Sequence, residues 1–425
     1  MPQELETVIE RPGIKFHLVK TKKYKTNLIV LKIKAPLNEE DATFRALLPY
    51  VLESGTENFN TSTELHSYLE ELYGAHFYSD LQKKGEYHVI SFWLEIANDK
   101  FLATRDHLLR KGIALLSEII FHPKRKGDSF DPDIANKEKR TLKQRIQSIY
   151  DDKMRYANLR LVEEMCKGEP YAIPVYGLLE KVDSITPESL FAYYKRVLKE
   201  DEFDLYIVGD IDVDEVTRLC DEQFPLEERK RITLSNSTNV SPTNEEKVVV
   251  ERQDIMQGKL NIGYRTTVRY GDEGYFALQV FNGIFGGFPH SKLFINVREK
   301  ESLAYYAASR LESHKGLLLV MTGIEPKNYE KALSIIKEQM KAMKNGDFSE
   351  EELSQTKAMI QNQMLETFDT SRGIVEVLYH NIISASNVTL EEWNVKIKGV
   401  TKEDVIQIGN HIYEDTIYFL TGLEA

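Results

Sequence analysis

Cysteine is nearly absent: Cys166 and Cys220 are the two in 425 residues. A disulfide framework is therefore excluded, and reduced thiols fit a reducing compartment. No run approaches the ~18 consecutive apolar residues that a spanning helix requires, and the most strand-like apolar stretch, Asp204 to Ile211, is short and charged at its ends. Membrane insertion is not expected. Met1 to Lys15 joins no basic segment to an apolar run as a secretory signal does, so the expected location is cytoplasmic. An excess of basic charge is missing too. Lys plus Arg is 55 against 67 Asp plus Glu, a net charge of −12, the wrong sign for a chain whose main task is neutralising phosphates. Nucleic acid is not an expected partner, and the sign favours a cationic peptide only at long range.

Local catalytic signatures are equally scarce. The ten histidines never approach one another in sequence, the nearest being His66 and His76, so neither H-x-x-E-H nor H-E-x-x-H occurs. His76 and His88 flank a predicted hairpin and would have to converge in space to share an ion; a surface or packed role is the simpler expectation. No Ser lies in a G-x-S-x-G elbow and neither Cys in a C-x-x-C pair. Gly286-Gly287, within GIFGGFPHSK, is followed by no Gly-Lys-Ser/Thr, which excludes a phosphate cradle. Two uses remain for this pair: a flexible turn before the helix that holds Leu293 and Phe294, or a mobile lip over a binding cleft.

What is present is an ordinary globular composition, 42% hydrophobic and 29% charged, in a chain too long for one core. Ser, Thr, Asn and Pro accumulate in LSNSTNVSPTNEEK, Leu234 to Lys247, where apolar periodicity stops. We read an interdomain linker at 234–247 between domains at 1–233 and 248–425. Each domain opens alike. Asn27 to Lys34, Phe44 to Leu52 and Val89 to Ile96 read as strand, buried helix and strand; Leu260 to Arg265, Tyr275 to Phe285 and Leu303 to Leu311 repeat that order. The fold class is α+β, with two homologous domains, each an antiparallel β-sheet packed with helices. Helix starts are marked at Thr61, Thr186-Pro187 and Ser349, and Gly74 is placed to end the helix after Thr61. The stripe Leu333, Ile336, Met340, Met343 reads as core-facing rather than as a methionine-rich groove.

Several segments together resemble the pitrilysin/insulinase-like metallopeptidases, in particular the half-sized branch of the mitochondrial processing peptidase subunits. SGTENFNTSTELHSYLEELYGAHFYS (Ser54 to Ser79), GEPYAIPVYG (Gly168 to Gly177), LYIVGDIDVDEV (Leu205 to Val216) and SKLFINVREKESLAYYAAS (Ser291 to Ser309) carry the resemblance, in the family's order, over nearly the whole chain. Active members of that family place an H-x-x-E-H helix before the Gly-Thr, with two His and a later Glu on zinc and the motif's own Glu activating water. Counting back from Gly55-Thr56 puts Ala46, Pro49 and Tyr50 at those positions. The later Glu is matched by Arg145, or by Gln144 or Lys143 in a neighbouring register; none is a carboxylate. Ala and Pro offer no donor atom, a neutral phenol is a poor zinc ligand, and a cation repels the ion.

The resemblance implies, by contrast, that the family's substrate-binding pair is retained as Arg298 and Tyr305, with Gly286 and Gly287 nearby. A guanidinium and a phenol both donate to a peptide carbonyl and to the oxyanion formed when water attacks it. Their simpler use is structural: Arg298 paired with Glu301, Tyr305 filling core. The expectation that follows is a zinc-less subunit that binds extended peptide by strand addition and completes the site of an H-x-x-E-H partner, which carries the zinc. The partner is a homologous chain in a heterodimer, or a second copy in a homodimer. The rivals are a structural or assembly protein, a peptide-binding protein with no catalytic partner, and a self-sufficient zinc peptidase.

Overall fold

The computed structural model describes residues 6–103, 106–229 and 247–423. The linker read at 234–247 lies outside the described residues except for Lys247, which begins a strand. Two compact units share the chain. One comprises Met1–Gln147, Ile173–Ser235 and Ser371–Val375; the other comprises Ser148–Ala172, Asn236–Thr370 and Glu376–Ala425.

The first unit is built on β1 (Thr7–Arg11), β2 (Ile14–Lys20), β3 (Thr26–Pro36), β4 (His76–Lys84), β5 (Tyr87–Ala97) and β6 (Glu202–Gly209) in the order β1-β2-β6-β3-β5-β4. Pairing is antiparallel except for β2 with β6, which run parallel. Alternation divides its two faces. Ile29, Leu31 and Ile33 of β3, with Ile90, Phe92 and Leu94 of β5, enter the core shared with the helices Glu39–Glu53, Leu108–Phe121 and Pro187–Glu200. The opposite face is buried too, with polar side chains set among apolar ones such as Leu28, Val30 and Val208. There His17 lies between two carboxylates, its Nδ1 2.6 Å from Glu6 and its Nε2 3.1 Å from Asp204, while its ring stacks on Tyr206. Lys32, 1% exposed, donates to Ser91 and lies over the Trp93 ring.

The second unit repeats the plan with β7 (Lys247–Gln253), β8 (Gly258–Thr266), β9 (Ala304–Glu312), β10 (Leu317–Ile324) and β11 (Ile412–Gly422), ordered β7-β11-β8-β10-β9. Again one pair, β7 with β11, is parallel and the others antiparallel. Both sheets are therefore mixed, because β6 returns in parallel beside β2 and β11 in parallel beside β7. One face packs the helices Tyr275–Asn282, Tyr329–Lys344 and Leu390–Gly399. Its other face packs Leu317, Leu319, Tyr418 and Leu420 against Leu161 and Met165 of the helix Lys153–Met165. The predicted starts are realised: Thr61 and Ser349 accept from the backbone three residues on, and Thr186 forms a reciprocal box with Ser189. Gly74 takes the left-handed conformation at φ 69°.

Candidate functional site

The helix Glu39–Glu53 is capped by Asn38 and runs almost wholly buried, from Ala42 to Leu52. Pro49 sits inside it. Ala46 is fully buried, and one turn further on Tyr50 is 5% exposed. The helix Pro132–Asp151 brings Arg145 against this turn: its Nη1 donates to the Tyr50 hydroxyl at 2.8 Å, and its guanidinium lies 4.0 Å from the Tyr50 ring centre. Of the three registers left open by the sequence, Arg145 is thus the residue that meets Tyr50; Lys143 instead ion-pairs with Asp183. Burial first, and the Glu53 and Asp80 charges after it, push the Tyr50 phenol up to about 12, against the pull of Arg145. A neutral phenol bonded to a guanidinium offers zinc no ligand. Among the described residues no three His, Cys, Asp or Glu side chains gather as a metal site. The residues at 46, 49, 50 and 145 therefore do not fit the zinc of the family they resemble.

Two carboxylates near this contact belong to no sequence motif. Glu53 is half-buried at the end of the same helix, and the desolvation of its carboxyl raises it to about 7; Glu138 adds repulsion, while Ser79 and Arg145 act the other way. Glu138 accepts from the Ser54 hydroxyl at 2.9 Å. Its place directly after the apolar run Ala46–Leu52 is the one feature that marks Glu53 in the sequence. His76 and His88 do not converge. The β4–β5 register pairs His76 with Glu95 and His88 with Lys83, so they stand at opposite ends of the hairpin. Burial and then Arg45 hold the His88 imidazole well below its usual value.

In the second unit, Arg298 lies in a π-helical segment, Phe294–Lys300, and stacks over Phe294 four residues earlier with its guanidinium 4.7 Å from the ring centre. Tyr305 is the second residue of β9 and is 64% exposed. Between them Ser302 occupies the left-handed region at φ 51°, a costly position for a residue with a side chain. The structural use of this pair is not what is found: Glu301 is engaged by Lys331 at 2.5 Å, and Tyr305 is not in the core. Both side chains are exposed donors on one unit; no direct contact joins them among the described residues.

Gly286 and Gly287 are neither a flexible turn nor a loop. They close a second π-helical segment, Gly283–Gly287, that continues the helix Tyr275–Asn282. A Cβ on Gly286 would stand 2.6 Å from the Ser309 hydroxyl and 2.7 Å from the Ser309 backbone N, so only glycine lets this segment approach β9. π-Segments recur at functional sites, and this unit has two on the path to Tyr305.

Comparison with known proteins agrees with this picture. A family profile described as the peptidase M16 inactive domain matches residues 184–360. A Bacillus subtilis protein described as a probable inactive metalloprotease, YmfF, is 53% identical over 413 residues, covering 97% of each chain. A solved structure of a conserved protein from Enterococcus faecalis superposes with a TM-score of 0.93 at 36% identity, over 99% of this chain and all of that one. The peptidase M16 inactive domain from Pseudomonas fluorescens, at 17% identity and a TM-score of 0.80 over 98% of both chains, shares the fold.

Proposed function

We propose, from the premise that this chain belongs to the M16 metallopeptidase family, that it is a zinc-less subunit which binds extended peptide and completes the active site of an H-x-x-E-H partner. The observation that carries this reading is the contrast between two places. A Tyr50–Arg145 contact occupies the positions that correspond to the family's metal ligands. Arg298 and Tyr305, the positions that correspond to its peptide-gripping pair, stand exposed and outside any core.

On this reading the chain supplies hydrogen-bond donors and the partner supplies zinc and the activated water. Arg298 and Tyr305 donate to the carbonyl oxygen of the bound peptide, and the same donors stabilise the negative charge that develops there. The peptide is held as an added strand, so its main chain gives most of the affinity and its sequence little. The partner is a homologous chain; a homodimer would lack the metal in both copies. The cytoplasm is the proposed location. No helix among the described residues is long and apolar enough to cross a membrane.

The test is the Arg298→Ala variant mixed with an H-x-x-E-H chain. Losing one oxyanion donor lowers turnover by about 10²-fold, while size-exclusion chromatography shows the dimer unchanged. Wild-type turnover in that mixture removes Arg298 from the account.

A further inference from the structure

Four strands of the first unit begin or end together. β2 closes at Lys20 beside Gly209, the last residue of β6, and β3 opens at Thr26 beside Ala97, the last of β5. Because β6 lies between β2 and β3, the connection Thr21 to Lys25 crosses the end of β6, and the Thr21 amide donates to the Gly209 carbonyl there at 2.8 Å. That connection reads Thr-Lys-Lys-Tyr-Lys. Together with the last residue of β2 it presents Lys20, Lys22, Lys23 and Lys25, all exposed.

An apolar side chain stands beside them. The Asn98 amide donates to the Lys25 carbonyl at 3.0 Å, which ties the short turn Asp99–Phe101 to the lysine turn. The Asn98 side chain accepts from the Lys100 amide, and Leu102 just beyond packs against the core, so the turn is held from both ends. Phe101 within it is 53% exposed. The carboxylates at this end are engaged. Asp210 pairs with Lys100 at 2.9 Å, and that contact, with the Lys22 and Lys20 charges behind it, holds its carboxyl below the usual value. Asp99 accepts from the Leu108 amide and Asp212 from the Glu215 amide, each at the start of a helix.

Segments 20–25, 98–102 and 209–212 thus carry five lysines against three aspartates, in a chain whose net charge is −12. Salt screens charges beyond about 8 Å in the cell, so a surface laid against this end meets its lysines and little of the distant acid. A nucleic acid is tracked along a groove, whereas these lysines stand on a turn laid across strand ends. An acidic peptide would use the lysines and leave the ring in water. A bilayer with anionic headgroups rewards both features, since the ammonium groups meet phosphate and the ring enters the apolar layer below.

We propose that this end of the first unit docks on an anionic lipid surface, the lysine turn on the headgroups and Phe101 just beneath them. Such a contact needs no spanning segment, and it is independent of the peptide-binding reading.

The experiment sediments the full chain with phosphatidylcholine vesicles, with or without a one-third share of phosphatidylglycerol. The chain travels with the anionic vesicles and stays in solution with the neutral ones. The combined variant Lys20→Gln, Lys22→Gln, Lys23→Gln and Lys25→Gln loses about fivefold in partitioning for each charge removed, which abolishes sedimentation. Phe101→Ser weakens partitioning about tenfold. Both variants keep the wild-type unfolding midpoint, because every changed side chain is exposed. Equal sedimentation with both kinds of vesicle, sedimentation with neither, or binding that survives the four-lysine variant overturns the proposal. Wild-type partitioning by Phe101→Ser, or release of the chain by an equal charge of polyglutamate or single-stranded DNA, would make the partner a soluble polyanion and overturn the lipid assignment.

Discussion

Arg145 caps the Tyr50 hydroxyl and covers the Tyr50 ring with the same guanidinium, tying the helix Glu39–Glu53 to the helix Pro132–Asp151 across 95 residues of sequence. In the family this chain belongs to, the corresponding positions tie the same two helices through an ion. Here an organic cation does it. The contact combines a hydrogen bond with a cation–π interaction, together worth about 1–3 kcal/mol where solvent is partly excluded. Arg145→Ala lowers stability by that amount in urea unfolding, and added zinc does not restore it. Recovery on adding zinc would mean that Tyr50, Glu53 and Glu138 hold metal after all.

Beside Ala46, Arg45 is 1% exposed and fully engaged. It donates to Asp201 at 2.5 Å, to the Tyr193 hydroxyl, and to the backbone oxygens of Ile33 and His88. Removing one partner of a buried pair leaves an uncompensated charge. Arg45→Met costs about 3–5 kcal/mol, seen as a lower urea midpoint with unchanged slope. A loss under 1 kcal/mol would show that water reaches Asp201.

His17 gives the fold a pH signature. Burial alone would lower its pKa, but the hydrogen bonds with Asp204 and Glu6 outweigh it and raise the imidazole from 6.5 to about 9. A raised folded value means the folded chain holds the proton more tightly. The stability it adds is complete below pH 6.5 and is lost as pH rises through 9. Wild type exceeds His17→Asn by about 3 kcal/mol at pH 6, shrinking toward zero above pH 9. A difference that does not change with pH would contradict the charged state.

Gly286→Ala places a methyl against the Ser309 backbone, which cannot yield. About 1–3 kcal/mol is the expected loss from such overpacking. By contrast, Tyr305→Phe at a 64% exposed position moves stability by under about 0.5 kcal/mol. If thermal unfolding shows the two variants alike, the packing of the π-segment on β9 is not as described.

Much of this was legible in the chain. The strands read at Asn27–Lys34, Val89–Ile96 and Leu260–Arg265 fall within β3, β5 and β8, and Leu303–Leu311 overlaps β9 from Ala304 on, because alternation is a local signal. Ile336, Met340 and Met343 are buried as the stripe predicted, with Leu333 packed beside them. What escaped is non-local. The parallel pairing of β2 with β6 joins strands almost two hundred residues apart, and no periodicity announces a neighbour. Tyr275–Phe285 read as one helix, yet its last turn widens at Gly283 because Gly286 must reach β9. The substitutions at Ala46, Pro49, Tyr50 and Arg145 could be counted from Gly55-Thr56, but not the contact that replaces the ion.

The central claim is that the chain has lost the means to hold an ion and activate water while keeping the donors that grip a peptide. Its most direct test is to incubate the purified chain with zinc and a mixture of unstructured peptides, alone and together with an H-x-x-E-H chain, measuring bound metal and cleavage. The account predicts no stoichiometric zinc and no cleavage alone, and faster cleavage in the mixture than the partner achieves by itself. Stoichiometric zinc on the isolated chain, with unaided hydrolysis, would contradict it.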